Sequence, residues 1–198
     1  MIPREQRSGS DEDDKMRVIA GTARSLKLKT PEGLGTRPTT DRIKETLFNM
    51  IQMSVPGSVF VDLFSGSGGI GIEALSRGAK HAYFVENAKE AIGCIQDNLV
   101  FTKFTDRATL LKQDVLSALS LISEKEADII FMDPPYGLSM EENVFQALAA
   151  QKYVTENTMI IVEAMLDRDF AFLDELGFEV TREKLYKTNK HVFCRKVR

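Results

Sequence analysis

Four apolar residues, Ile129-Ile130-Phe131-Met132, run directly into Asp133-Pro134-Pro135-Tyr136. An apolar run without polar alternation is the pattern of a strand buried on both faces, as in a parallel sheet flanked by helices. The prolines must end it, because neither donates a ladder hydrogen bond and each fixes its own φ near about −65°. A residue before proline is pushed out of the helical region, so Asp133 and Pro134 are expected to be extended. The stretch reads as a stiff shelf at a strand's carboxyl end, presenting a carboxylate, backbone carbonyls and an aromatic ring. Taken alone, it reads equally well as a proline-rich turn.

The surrounding chain alternates strand and helix patterns. Strands are expected at 59–64, 81–86, 108–112, 127–133 and 158–163. Helices are expected at about 70–77, 115–122, 141–150 and 169–176, with a longer one carrying the stripe Ala91, Ile92, Ile95, Leu99. Two last strand-like runs, 178–185 and 190–196, flank Lys187-Thr188-Asn189 and read as an antiparallel hairpin at the sheet edge. Such alternation predicts an α/β fold, a doubly wound, mostly parallel Rossmann-like sheet. Ligands of these sheets bind beyond the carboxyl ends of the strands.

The domain organisation follows from composition. Residues 1–15 are polar, with the acidic cluster Asp11-Glu12-Asp13-Asp14, and read as a disordered expression leader. Residues 16–54 read as a basic hairpin and helix extension. In the hairpin, Leu26 and Leu28 alternate with Lys27 and Lys29 around a turn at Gly21. Thr40 or Asp41 caps the helix, whose stripe is Ile43, Leu47, Met50 and Ile51. Residues 55–198 form the main domain. With 43% hydrophobic residues in 198, the chain can bury a full core, and no apolar run reaches membrane-spanning length. Cys94 and Cys194 form no CxxC pair, and with only His81 and His191 beside them they compose neither a zinc site nor a histidine triad. Both cysteines read as packing residues of a protein in a reducing, cytoplasmic location.

Charge is uneven. Residues 16–45 carry 7 Lys/Arg against 3 Asp/Glu, residues 181–198 carry 7 against 1, and residues 46–180 carry 9 against 20. Two basic ends around an acidic middle suit a polyanion held beside a pocket that prefers cations.

The loop after the first strand, Asp62-Leu63-Phe64-Ser65-Gly66-Ser67-Gly68-Gly69-Ile70-Gly71, satisfies G-x-G-x-x-G at Gly66, Gly68 and Gly71. Read alone it matches a dinucleotide fingerprint, with Glu86 ending the next strand. However, Asp62, Glu86, Asp114 and Asp133 end four successive strands on one rim, and the glycine loop carries no basic residue to hold phosphates. S-adenosylmethionine has no phosphate and carries a sulfonium and an ammonium, which an acidic rim accepts. Glu86 then takes the ribose hydroxyls, Asp114 the adenine amino group and Asp62 the ammonium. The expected cofactor set is Asp62, Phe64, Ser65, Gly66, Gly68, Glu86, Asn87, Asp114, Val115 and Asp133.

An exocyclic amino group on a nucleobase is a poor nucleophile, because its lone pair is delocalised into the ring. Asp133 and the Pro134 carbonyl could accept both its hydrogens and localise that pair, while Tyr136 stacks on the base. Phosphates around the base would be held by Arg17, Arg24, Lys27, Arg37, Thr39, Thr40 and Arg42.

These segments resemble a known family. Asp133-Pro134-Pro135-Tyr136 looks like the fourth motif of class I amino-methyltransferases that act on nucleic acids. Arg17-Val18-Ile19-Ala20-Gly21, Thr36-Arg37-Pro38-Thr39-Thr40-Asp41-Arg42, Asp62 to Gly68 and Gly71 to Gly78 together resemble the bacterial RsmD family. The resemblance implies methylation of a guanine N2 in 16S ribosomal RNA, S-adenosylmethionine as cofactor, and a substrate presented within the small ribosomal subunit or its precursor. It departs from the family at Lys187-Thr188-Asn189-Lys190-His191, which replaces a Gly-Asp-Thr-like turn. The residues alone leave other readings open: an amino-methyltransferase on DNA adenine N6 or protein glutamine, a non-catalytic RNA-binding module, or an NAD-dependent oxidoreductase.

Overall fold

The computed structural model describes residues 16–31, 41–135 and 140–197. The expected leader, together with Arg37, Thr39, Thr40 and Tyr136, lies outside the described residues. The elements in order are α1 (Asp41–Met50), β1 (Val59–Asp62), α2 (Gly69–Ser76), β2 (His81–Val85), α3 (Lys89–Thr102), β3 (Ala108–Leu111), α4 (Val115–Leu119), β4 (Ile129–Met132), α5 (Met140–Ala149), β5 (Met159–Met165), α6 (Phe172–Glu175), β6 (Phe178–Leu185) and β7 (Asn189–Lys196). The strands form a sheet in the order β3-β2-β1-β4-β5-β7-β6. The first five are parallel, and β7 runs antiparallel between β5 and β6. The C-terminal hairpin therefore joins the sheet through its second strand, and β6 forms the edge.

Period-two alternation divides the core between the two faces of the sheet. Val61, Ile130, Met132, Ile160 and Val192 pack with α4, α5 and α6. Phe60, Ile129, Phe131, Ile161 and Phe193 pack with α1, α2, α3 and the segment 16–31. At Gly71 the helix α2 comes so near the sheet that a Cβ would stand 2.4 Å from the Phe84 ring.

Three expectations are corrected. β1 ends at Asp62; beyond it the Leu63 amide donates to the Phe131 carbonyl at 2.9 Å and the Ser65 amide to the Val85 carbonyl at 3.0 Å as the chain enters the glycine loop. α6 spans Phe172–Glu175 rather than 169–176. The rings of Phe170 and Phe172 lie 5.7 Å apart, and residues two apart on a helix do not face each other. The N-terminal hairpin contains one antiparallel bridge, Arg17↔Lys27, rather than a ladder of strands. Towards the turn its amides are committed elsewhere: those of Ile19 and Ala20 donate to Glu73 at 2.7 and 3.0 Å, and that of Thr22 to the Ser76 carbonyl at 2.9 Å. Gly21 makes this approach possible, since a Cβ there would stand 1.9 Å from the Ser76 carbonyl oxygen.

Glu73 is the post on which this segment hangs. It is fully buried, and its oxygens also accept from Arg77 Nε at 2.7 Å and pair with Lys44 Nζ at 3.6 Å. Lys44, inside the apolar stripe of α1, donates in turn to the Arg17 carbonyl at 2.5 Å. Burial lowers the Lys44 pKa, with Glu73 and Asp41 opposing. Glu73→Ala leaves that ammonium without its buried counter-charge and two backbone amides without their acceptors, so urea denaturation of the full chain is expected to show a loss of about 3–5 kcal/mol, the usual consequence of halving a buried ion pair.

Candidate active site

The carboxyl ends of the parallel strands gather the acids predicted there. Asp62 closes β1, Glu86 follows β2, Asp114 follows β3 and Asp133 follows β4. Their environments differ sharply. Asp62 is 1% exposed. Its Oδ2 accepts from the Gly71 amide at 3.2 Å, while Oδ1 is buried without a hydrogen-bond partner among the described residues. Burial, with a contribution from Glu86, pushes its pKa up to about 7 against the pull of the Gly71 and Phe64 amides.

The glycine loop is pinned from both sides. Ser65 Oγ donates to the Asp62 carbonyl at 2.8 Å and accepts from the Val85 amide at 3.0 Å. Gly66 and Gly68 have φ of +52° and +83°, a left-handed backbone that suits glycine. Glu86 spans the loop and the start of α3, accepting from Gly66 N at 2.8 Å and from the amides of Asn87 and Ala88 at 2.9 Å. Asn98 ties the loop to the basic segment, donating to the carbonyls of Ser67 and Lys29 at 2.9 Å and accepting from the Lys29 amide at 2.8 Å.

Asp114 stands apart. It is the exposed N-cap of α4, accepting from the Ser117 amide at 3.1 Å, and Ser117 holds its pKa below the usual value. Val115 behind it is buried, and Phe64 is half-buried against the same core.

Asp133 is half-buried, Pro134 buried and Pro135 exposed. Asp133 and Glu163 follow the paired residues Met132 and Val162 of β4 and β5, so they occupy equivalent positions at the ends of adjacent strands. By alternation both share the sheet face of Phe131 and Ile161, as Asp62 shares that of Phe60. Burial, then Glu163 and Asp62, push the Asp133 pKa up to about 8. The sequence reading does not group these three acids. Glu163 ends an apolar run just as Asp62 and Asp133 do, and that signal could have found it.

Glu163 is 5% exposed and is clamped by β7. Oε1 accepts from Asn189 Nδ2 at 2.5 Å, and Oε2 lies 3.3 Å from His191 Nε2. His191 is fully buried, opposite Glu163 in the ladder, with Nδ1 3.0 Å from the Tyr186 hydroxyl and its ring edge-on to Phe131. Neither Asn189 nor His191 carries an expected role.

The predicted phosphate-binding residues are partly described. Arg17, Arg24, Lys27 and Arg42 are exposed, and Arg17 pairs with Asp41 at 2.6 Å. Their segments pack on the face of the sheet toward which Asp62 and Asp133 point.

Comparison with known proteins agrees with this architecture. A family model described as "Conserved hypothetical protein 95" matches residues 16–195. The chain is 37% identical over 174 residues to "Putative rRNA methyltransferase YlbH" of Bacillus subtilis (strain 168), covering 86% of this chain and 94% of that protein. It is 35% identical over 156 residues to "Ribosomal RNA small subunit methyltransferase D" of Haemophilus influenzae, covering 78% and 81%. The solved structure named "Putative methyltransferase yhhF from Escherichia coli" superposes with a TM-score of 0.77 at 29% identity, over 92% of this chain and 98% of that one. Fold and likenesses together define a methyltransferase with a Rossmann-like sheet. Within that class the chain belongs to the family of the matching model, the RsmD family.

The raised acids make a stability prediction. Between the usual carboxylate value of 3.8 and about 7 to 8, the native state holds protons that the unfolded chain has lost, so these groups stabilise most at low pH. Their contribution is lost as pH rises through the folded values. Thermal melting of the ligand-free chain from pH 5 to pH 8 is expected to fall more steeply for the wild type than for Asp62→Asn; equal slopes would count against a raised Asp62.

Proposed function

We propose that the chain transfers a methyl group from S-adenosylmethionine to the exocyclic N2 of a guanine in 16S ribosomal RNA, acting on the small ribosomal subunit or its precursor. The observation that carries this reading is the pair of buried Asp62 and half-buried Asp133 at adjacent strand ends, with Asp62 Oδ1 unpartnered among the described residues. Two neighbouring carboxyls with raised pKa values call for a cationic ligand, and a phosphate-bearing dinucleotide would be repelled. The names of the relatives, which specify ribosomal RNA of the small subunit, support the substrate class.

The residues present fit this cofactor. Asp62 offers a free acceptor to an ammonium, and Glu86, already lying along the loop, offers its carboxylate to ribose hydroxyls. Asn87, Phe64, Ser65, Gly66 and Gly68 would shape the mouth, with Asp114 and Val115 beside the adenine. When bound, the cofactor supplies an electrophilic methyl group on a positively charged sulfur. The chain's own work is orientation. Asp133, once ionised, and the Pro134 carbonyl accept the two amino hydrogens, and Tyr136 offers its ring to the base for stacking, a contact of ~1–3 kcal/mol. Such chemistry needs a base out of its stack or already unpaired. Arg17, Arg24, Lys27 and Arg42, with Arg37, Thr39 and Thr40, would hold the flanking phosphates, making binding salt-dependent.

Labelled S-adenosylmethionine incubated with the chain and 30S particles, free ribosomal RNA, duplex DNA or protein extract tests the reading. Label is expected in ribosomal RNA; incorporation into DNA or protein alone would overturn it. Asp133→Ala is expected to abolish transfer while cofactor affinity by calorimetry stays within about tenfold, ~1.4 kcal/mol. A variant with undiminished turnover would remove Asp133 from the chemistry.

A further inference from the structure

We infer that Glu163, clamped by Asn189 and His191, is a positioning residue that governs when Asp133 can accept the hydrogens of the target amino group. The inference rests on the methyl-transfer reading above. Its geometry is that of three acids at the ends of adjacent strands on one sheet face, with Asp133 in the middle. Glu163 lies on the β5 side and cannot swing away. Asn189 Nδ2 holds one oxygen at 2.5 Å and His191 Nε2 stands 3.3 Å from the other. His191 is braced by the Tyr186 hydroxyl at 3.0 Å and by the Phe131 ring.

A fixed negative charge beside Asp133 discourages its ionisation, in the same direction as burial and Asp62. Asp133 shares the two amino hydrogens with the Pro134 carbonyl, and it is the stronger acceptor when ionised, since a protonated carboxyl carries a donor of its own. In the ligand-free site the surroundings of Asp133 therefore favour its protonated form. It becomes the stronger, ionised acceptor more readily when positive charge enters the cluster, which ties the chemistry to occupation of the site.

The groups around Glu163 are Asp133 just after β4, with Asp62 of β1 beyond it, and Asn189 and His191 on β7. From β6 come Tyr186 at its end, Lys184 opposite His191, and Arg182, which acts on Tyr186. Lys44 and Glu73, buried on the helices of the same face, are engaged with each other and with Asp41 and Arg77.

The test uses the full chain and two independent readouts. In single-turnover transfer across pH, Glu163→Gln is expected to move the acid limb down by about one pH unit. Glu163→Asp keeps the charge and should leave the limb in place even if the rate falls. A merely structural Glu163 would lower the rate of both variants without moving either limb, and that result overturns the inference. The second readout is infrared titration of the ligand-free protein. A protonated carboxyl band persisting at pH 7 is expected in the wild type, reduced in Asp133→Asn to the share of Asp62, and titrating lower in Glu163→Gln. Absence of that band in the wild type overturns the inference even if Glu163→Gln fails to fold. A wild type that methylates nothing, yet shows the band and its shift, would sink the proposed function while leaving the electrostatic control of Asp133 standing.

Discussion

The structure turns on like charges placed at adjacent strand ends. Asp62, Asp133 and Glu163 lie where β1, β4 and β5 run side by side, with one sheet face behind them and helices over it. Glu163 and Asp62 both raise the cost of ionising Asp133, and burial raises it further. The cluster is therefore a site with a charge deficit built in. It relaxes either by holding protons or by taking up a cation, and a ligand bearing positive charge binds with the second route open to it.

A second buried acid takes the opposite course. Glu73 is as deeply buried as any group in the protein, yet it is surrounded by donors: two backbone amides, the Arg77 guanidinium and the Lys44 ammonium. Its charge is balanced where it stands, and the result is structural, because those donors come largely from the N-terminal segment and from α1. Asn98 completes the attachment by joining the Lys29 backbone to the Ser67 carbonyl within the glycine loop. Thus the segment bearing Arg17, Arg24 and Lys27 is fastened to the loop and helix that build the rim. Basic surface and acidic pocket share one rigid support.

Much of this is legible in the residues themselves. Apolar runs ending in acids locate β1 and β4, and the glycine pattern locates the loop between β1 and α2. The shelf at Asp133-Pro134 ends its strand as the missing proline amides require. What stays hidden depends on distant pairing. Glu163 ends a run in the same manner, but its meaning comes from sitting between Asp133 and His191, and the β5–β7 register that brings them together is not visible in a local pattern. His191 looks like one histidine without partners because its partners are 5 and 28 residues away. The N-terminal hairpin reads as a ladder for the same reason: its amides bond to Glu73 and Ser76, more than 50 residues on.

The antiparallel end of the sheet has a physical purpose in this arrangement. Had β5 been an edge, Glu163 would face solvent on one side, its charge would be screened, and it would act weakly on Asp133. β7 closes that side, and its inward positions Asn189 and His191 supply the hydrogen bonds a buried carboxylate requires. β6 then covers β7, and the residue after it, Tyr186, reaches the imidazole. The hairpin at the chain's end thus keeps Glu163 dry and fixed, and a dry, fixed charge is the kind that can bias its neighbour.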